Sequence, residues 1–390
     1  MYDFIDFSQG TNFYLNLYCF LLYCVLLLIS LRGNVIGLNS QEPYRIRKLL
    51  LFSGLLLFAL TSFVGADFFF YHENMSMYSS RVFGDQDRGL ELVYQYLIYY
   101  TNGDYFLFRL VVWGVSLLLI VLNARKFGAN VYNTLFIILA GFIVTYSYAR
   151  ATLAMAIFFL GVILICVAIN KKWKLFRIII GICLIASSIY FHRSMLPMVA
   201  LALVWIIIPW KKKITKYSLW FFPLFVALFY FVIKTAFEGL FAVADVVDDD
   251  SGSLYKMEHY SEHTVAATNM NGYIRLVFHY SVFVLPILML ANILRSGKIL
   301  RILDDRAIWL YQIIFLIFAF ALSFVFLGFG NSVLFDRYLY MTFIPLSILI
   351  VYMRGIGALN KQQYFSIIGC FILSNLFQLF AYVYSVREVI

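Results

Sequence analysis

Charge is what this chain has least of. Of its 390 residues 13% are charged and 63% are hydrophobic, and the uncharged runs repeatedly approach the ~20 residues that cross a bilayer as a helix. No stretch is polar enough to make a soluble domain of useful size. Alternation is also missing: a transmembrane β-barrel needs apolar and polar residues taking turns in segments of about ten, whereas 313–327 and 196–208 are apolar on every face. A barrel is excluded. Cysteine is scarce, and Cys19, Cys24, Cys166, Cys183 and Cys370 all fall inside apolar runs, where they act as small core residues rather than disulfide or zinc partners. The first residues, MYDFIDFSQGTN, carry two acids and no basic stretch, so the first apolar run is expected to be a retained helix and not a cleaved signal. There is no Gly-rich phosphate loop, no GxSxG elbow, no defensible internal repeat, and no EF-hand spacing around Asp248, Asp249 and Asp250. No metal and no cofactor is expected.

What remains is all-α and polytopic. Twelve apolar stretches stand at about 13–31, 49–66, 106–123, 130–148, 151–169, 176–191, 195–209, 217–235, 273–294, 308–328, 338–353 and 364–384. Twelve crossings put both termini on one side. With the termini outside, the inner loops collect Arg32, Arg45, Arg47, Lys48, Arg125, Lys126, Lys171, Lys172, Lys174, Arg177, Lys211, Lys212, Lys213, Lys216, Arg295, Lys298, Arg301, Arg306, Arg354 and Lys361. Of the 20 acids, only Glu42, Asp304 and Asp305 lie inside. Every inner loop is basic, as the positive-inside rule requires. The net charge of +10 is therefore mostly topology, and nucleic acid is not expected as a partner. The chain reads as one transmembrane domain, 1–390, with two longer outer loops at 67–104 and 236–272. Within the first, LELVYQYLIYY (90–100) is too short to span and aromatic enough to be an interfacial or re-entrant amphipathic helix.

The remaining charges collect at the outer rim. Arg109, Arg150, Arg193, Arg275 and Arg337 stand at or beside helix ends, and all five histidines are outside or near an outer end. An isolated arginine there often only anchors the helix at the headgroups. Three of these lie in short outer turns, SYARATLAMAI, YFHRSMLP and FDRYLY, which favours a shared polar cavity over separate anchors. Arginine holds phosphate or carboxylate through a bidentate fork. Such a cavity, open to the outer leaflet and rich in tyrosine and phenylalanine faces, suits a ligand with an anionic head, sugars and a lipid tail.

Several motifs together carry a resemblance. RATLAMAI from Arg150, FHRSML from Phe191 and DRYLYM from Asp336, preceded by ADFFFYHENMSMY and LELVYQYL, resemble the EpsG family of bacterial polysaccharide polymerases, a branch of the Wzy-like polymerases. Arg150, Leu153, Ala154, His192 and Ser194 occupy that family's places. Alanine and threonine at 151 and 152 depart from it, where glutamine often follows the arginine. The resemblance implies a GT-C-like fold in the bacterial inner (cytoplasmic) membrane, with the active site on the outer side. It also implies joining of oligosaccharide repeat units carried on undecaprenyl diphosphate. The partners implied are that lipid-linked oligosaccharide, membrane lipid and a protein that sets chain length.

Two chemical requirements follow for such a reaction. Charge grows on the departing diphosphate, for which Arg150, Arg193, Arg337 and Arg275 are the candidates; a unit pair at 4 Å gains ~4 kcal/mol at an effective dielectric of ~20, before solvation costs. The acceptor hydroxyl must lose a proton, for which His192, Glu91, Asp67 and Asp336 are the candidates. Each carboxylate has a plainer reading as a solvated or boundary residue, and Asp336 as the partner of Arg337. A transporter of lipid-linked glycan, a ligase, and a transferase using a single-phosphate lipid-linked sugar are the rival readings. A transporter should carry ionisable groups near the midplane and broken helices.

Overall fold

A computed structural model describes residues 9–36, 44–61, 91–146, 149–168, 174–207, 215–244, 284–324 and 338–387, all helical or in turns, with no strand among them. The helices are α1 (Gln9–Ile36), α2 (Tyr44–Thr61), α3 (Leu92–Tyr100), α4 (Tyr105–Phe127), α5 (Val131–Tyr146), α6 (Ala149–Ala168), α7 (Lys174–Phe191), α8 (Leu196–Ile207), α9 (Ser218–Ala244), α10 (Val284–Arg295), α11 (Gly297–Ile302), α12 (Asp305–Phe324), α13 (Phe343–Gly355, continued back to Tyr338) and α14 (Lys361–Arg387). A helix stands at each of the twelve apolar stretches. Five of the described helices, α4, α6, α7, α12 and Tyr338–Gly355, are long and apolar enough to cross a membrane. The protein is thus a helical, membrane-embedded chain.

The loop expected at 236–272 begins later than the sequence reading has it. Helix α9 continues through Ala244 and takes Lys234 with it, because LFAVA prolongs the apolar run past the point where Lys234 and Glu238 suggest a boundary. The rest of that loop, and the expected segment 67–90, lie outside the described residues.

Burial sorts the helices into a centre and a periphery. The apolar windows of α6, α12 and Tyr338–Gly355 are 94%, 89% and 83% buried, against 44% for α4 and 17% for α7. An apolar helix that is buried all round belongs to a protein interior, and one that exposes an apolar face belongs against lipid. The first and last helices meet: the Tyr23 hydroxyl of α1 donates to the Ala140 carbonyl at 3.0 Å, and the Asn375 amide of α14 donates to the same carbonyl.

Two close approaches fix the geometry that matters below. Helices α6 and α7 form an antiparallel hairpin that packs backbone to backbone: a Cβ on Gly161 would stand 2.5 Å from the Gly181 carbonyl oxygen, and one on Gly181 would stand 2.6 Å from Ile165. Eleven residues separate Arg150 from Gly161 and eleven separate Gly181 from His192, so both side chains stand ~16 Å from the crossing, at the same end of the hairpin. Helices α9 and α12 instead run parallel. Ser218 meets Tyr311 at 2.9 Å, Phe222 stacks on Phe318, and Phe229 meets Phe320. The chain between them must therefore return across the bundle.

At the opposite end of α6 from Arg150, a polar clasp holds α4, α12 and α13 together. Asp304 caps α12 by accepting from the Ala307 amide at 3.0 Å, and its other oxygen accepts from Arg306 at 2.6 Å and from the Tyr352 hydroxyl at 2.8 Å. Arg306 also donates to that hydroxyl at 3.1 Å and faces the Tyr352 ring. This accounts for one of the two acids in a loop whose other charges are basic.

Candidate functional site

The site is built from the start of α3 and the facing ends of α6 and α7. Glu91 has extended backbone (φ −67°, ψ 145°) and stands at the N-cap of α3, yet its side chain makes no capping bond. Its carbonyl starts the helix instead, accepting from Tyr94 and Gln95, which leaves the carboxylate to reach across to neighbours. A carboxylate at this position is favoured by the positive end of the helix dipole.

That carboxylate is 5% exposed and serves three partners. Oε2 accepts from the Arg150 guanidinium at 2.8 Å, and Oε1 lies 2.9 Å from His192 Nδ1 and accepts from the Arg193 main-chain amide at 3.2 Å. Tyr94, one turn along α3 and fully buried, donates its hydroxyl to the Arg150 carbonyl at 2.9 Å while its ring faces the guanidinium at 5.8 Å. Arg150 is thereby held at both ends, main chain and side chain.

Helix geometry explains why His192 and Arg193 diverge. Phe191 ends α7, His192 turns extended (φ −162°, ψ 117°), and a single 3-10 turn over Arg193–Met195 leads directly into α8. The His192 ring is carried inward, where the residue is 8% exposed. The Arg193 side chain points to the surface, and among the described residues its guanidinium makes no hydrogen bond or ion pair. The Ser194 hydroxyl is buried and has no hydrogen-bond partner among the described residues.

The charge state of Glu91 follows from its setting. Burial pushes the carboxyl up, but the His192 hydrogen bond and the Arg150 charge oppose this and hold it at about 2, against an ordinary 4.5. An ionised carboxylate only accepts hydrogen bonds. His192 Nδ1 must therefore carry the proton, and in the neutral ring Nε2 is the basic nitrogen. Because the folded-state value is depressed, Glu91 contributes stability fully above pH 4.5, and this is lost as pH falls toward about 2. The contribution of this carboxylate to thermal stability in detergent should be level between pH 7 and pH 5 and fall below about pH 4.5, and Glu91→Gln should lack that part of the acid fall. An equal acid response in both proteins would show that the carboxylate has no such role.

The sequence pattern of a known family extends over nearly the whole of this architecture, matching residues 45–388. The chain belongs to the EpsG family. No curated protein and no solved structure is detectably similar.

Within this EpsG-family chain, the structure brings together four of the eight expected site residues: Glu91, Arg150, His192 and Arg193. Asp67, Arg275, Asp336 and Arg337 lie outside the described residues. Arg109, grouped with the rim arginines by its place near a helix end, is elsewhere. It is 3% exposed in the second turn of α4, donates to the Ala59 carbonyl of α2 and lies over the Tyr105 ring. Sequence reasoning missed Tyr94. The available signal was its spacing, since Tyr94 lies one turn beyond Glu91 and on the face of α3 that also buries Ile98.

Proposed function

We propose that this protein is a polysaccharide polymerase that joins oligosaccharide repeat units carried on undecaprenyl diphosphate, at the outer face of the bacterial cytoplasmic membrane. The reading takes twelve crossings, both termini outside and a GT-C-like arrangement as its frame. One observation carries it: the Arg150 guanidinium, the His192 ring and the Arg193 main-chain amide, from two turns far apart in sequence, converge on one buried carboxylate. Anion-binding charge and a basic nitrogen are what transfer from a diphosphate leaving group to a hydroxyl requires.

The roles divide by environment. Glu91, held at about 2, is a poor proton acceptor near neutrality and serves to position His192, whose Nε2 takes the proton from the acceptor hydroxyl. Arg193, exposed and not neutralised by a described neighbour, meets the arriving diphosphate. Arg150 stabilises charge as it grows on the leaving group and is oriented for this by Glu91 and Tyr94. The N-terminus of α6 beside it adds positive potential. Arg275, Arg337, Asp67 and Asp336 are proposed to complete the cavity. A separate protein is proposed to set chain length.

The test is polymer formation in liposomes supplied with lipid-diphosphate repeat units. A product ladder is expected from the wild type. Arg193→Ala should raise KM more than it lowers kcat, and Arg150→Ala should lower kcat, because one contact is made on arrival and the other strengthens in the transition state. No ladder from a folded wild type, with lipid-linked substrate crossing the membrane instead, would overturn the reading in favour of a transporter.

A further inference from the structure

Glu91 divides one carboxylate between the two halves of the proposed reaction. Oε2 faces the arginine assigned to the leaving group, and Oε1 faces the imidazole assigned to the acceptor. With one charge to share, the attraction felt by the His192 ring depends on how fully Arg150 compensates the other oxygen. We infer that Glu91 couples the two: an anion that engages Arg150 strengthens the hold of Glu91 on the His192 Nδ1–H and makes Nε2 a stronger base.

The argument rests on the proposed function for the roles of the two partners, and on geometry for the coupling. All three groups are mostly withdrawn from water, with side chains 5% (Glu91), 10% (His192) and 18% (Arg150) exposed, so the interaction is less screened than at a surface. The arrangement is also held. Tyr94 fixes the Arg150 main chain and the Arg193 amide fixes Oε1, so what an anion changes is the sharing of charge and not the placement of Glu91. Among the described residues few other groups compete. The titratable or charged groups among them on elements against this turn are Tyr94, Tyr96, Tyr99 and Tyr100 on α3, and Arg150 and, at its far end, Cys166 on α6. Tyr190 and Arg193 flank His192 itself, with Cys183, Arg177 and Lys174 further along α7, and α8 brings none.

Occupancy and basicity would then rise together. An empty site holds a weaker base, which protects against proton abstraction before the donor is bound. By reciprocity, protonation of His192 must tighten anion binding by the same factor.

The test uses the full-length protein in detergent with inorganic pyrophosphate as probe and measures its Kd between pH 5.5 and pH 8. Comparison with His192→Gln cancels the titration of pyrophosphate itself. The wild type should gain affinity more steeply than His192→Gln as pH falls, by roughly 5-fold or more across the range, the lower end of ordinary coupling between sites. Glu91→Gln should reduce that difference to the small direct attraction between anion and ring. If Glu91→Gln does not fold, Glu91→Asp, a methylene shorter and unable to span both partners, should do the same. Pyrophosphate binding whose pH dependence is unchanged in these Glu91 variants overturns the coupling and leaves the polymerase reading standing. Absence of pyrophosphate binding in the folded wild type overturns both.

Discussion

His192→Gln should lower polymer formation roughly 10²–10⁴-fold, the usual cost of removing a positioned proton acceptor. The loss should fall on kcat, with KM changed little, because the proton moves only in the transition state. Glutamine suits the experiment better than alanine because its amide can still donate toward Glu91 Oε1, keeping the buried carboxylate partnered. His192→Ala would remove one of the three partners of the buried carboxylate, leaving Arg150 and the Arg193 amide, and would confuse that loss of stability with the loss of a base. Rates should be compared at matched thermal stability. A fall smaller than about 10-fold would assign the proton to another group, with Asp67 and Asp336 the next candidates.

Gly181→Val should be the most damaging change remote from the site. Its Cβ would stand 2.6 Å from Ile165 and 2.8 Å from the Gly161 carbonyl oxygen, so the two helices must separate. Overpacking a core costs ~1–3 kcal/mol where side chains can shift; here one obstacle is backbone, which places the expected loss at the upper end or above. The lower melting temperature is one consequence. The other is geometric, since Arg150 and His192 are carried on the two arms of the hairpin and both hydrogen bonds to Glu91 depend on their separation. A melting temperature within about 1 °C of the wild type, when a loss of ~3 kcal/mol in a chain of this length should lower it by roughly 4 °C, together with full activity would refute the backbone-to-backbone crossing.

The sequence made the helices legible because hydrophobic run length is a local signal, readable in a window of about twenty residues. It also put the Arg150 and His192 turns at one end of the bundle, since an even number of crossings separates them. What it left obscure is partnership. Glu91 pairs with residues 59 and 101 positions away, and nothing local tells an acid at the head of a short aromatic helix from a solvated one. Arg109 shows the same limit from the other side. Its place near a helix end matched the other rim arginines, but its direction around α4, toward the Ala59 carbonyl, is set by which helix packs there. The inner acids were countable as exceptions, while the reason for Asp304 appears only when Arg306 and Tyr352 stand beside it.

The span of 101 residues between Glu91 and His192 also sets an order of events while the chain is being made. At ~5–20 residues per second, Glu91 is synthesised roughly 5–20 s before its histidine exists. During that interval it needs water, because an unpartnered carboxylate in hydrocarbon is costly. A nine-residue helix is too short to cross, so its N-cap residue can stay in water until α6 and α7 arrive. The α6–α7 hairpin forms from neighbours in sequence and can assemble quickly by itself. Glu91 can then reach Arg150 and His192 only once both arms of the hairpin exist.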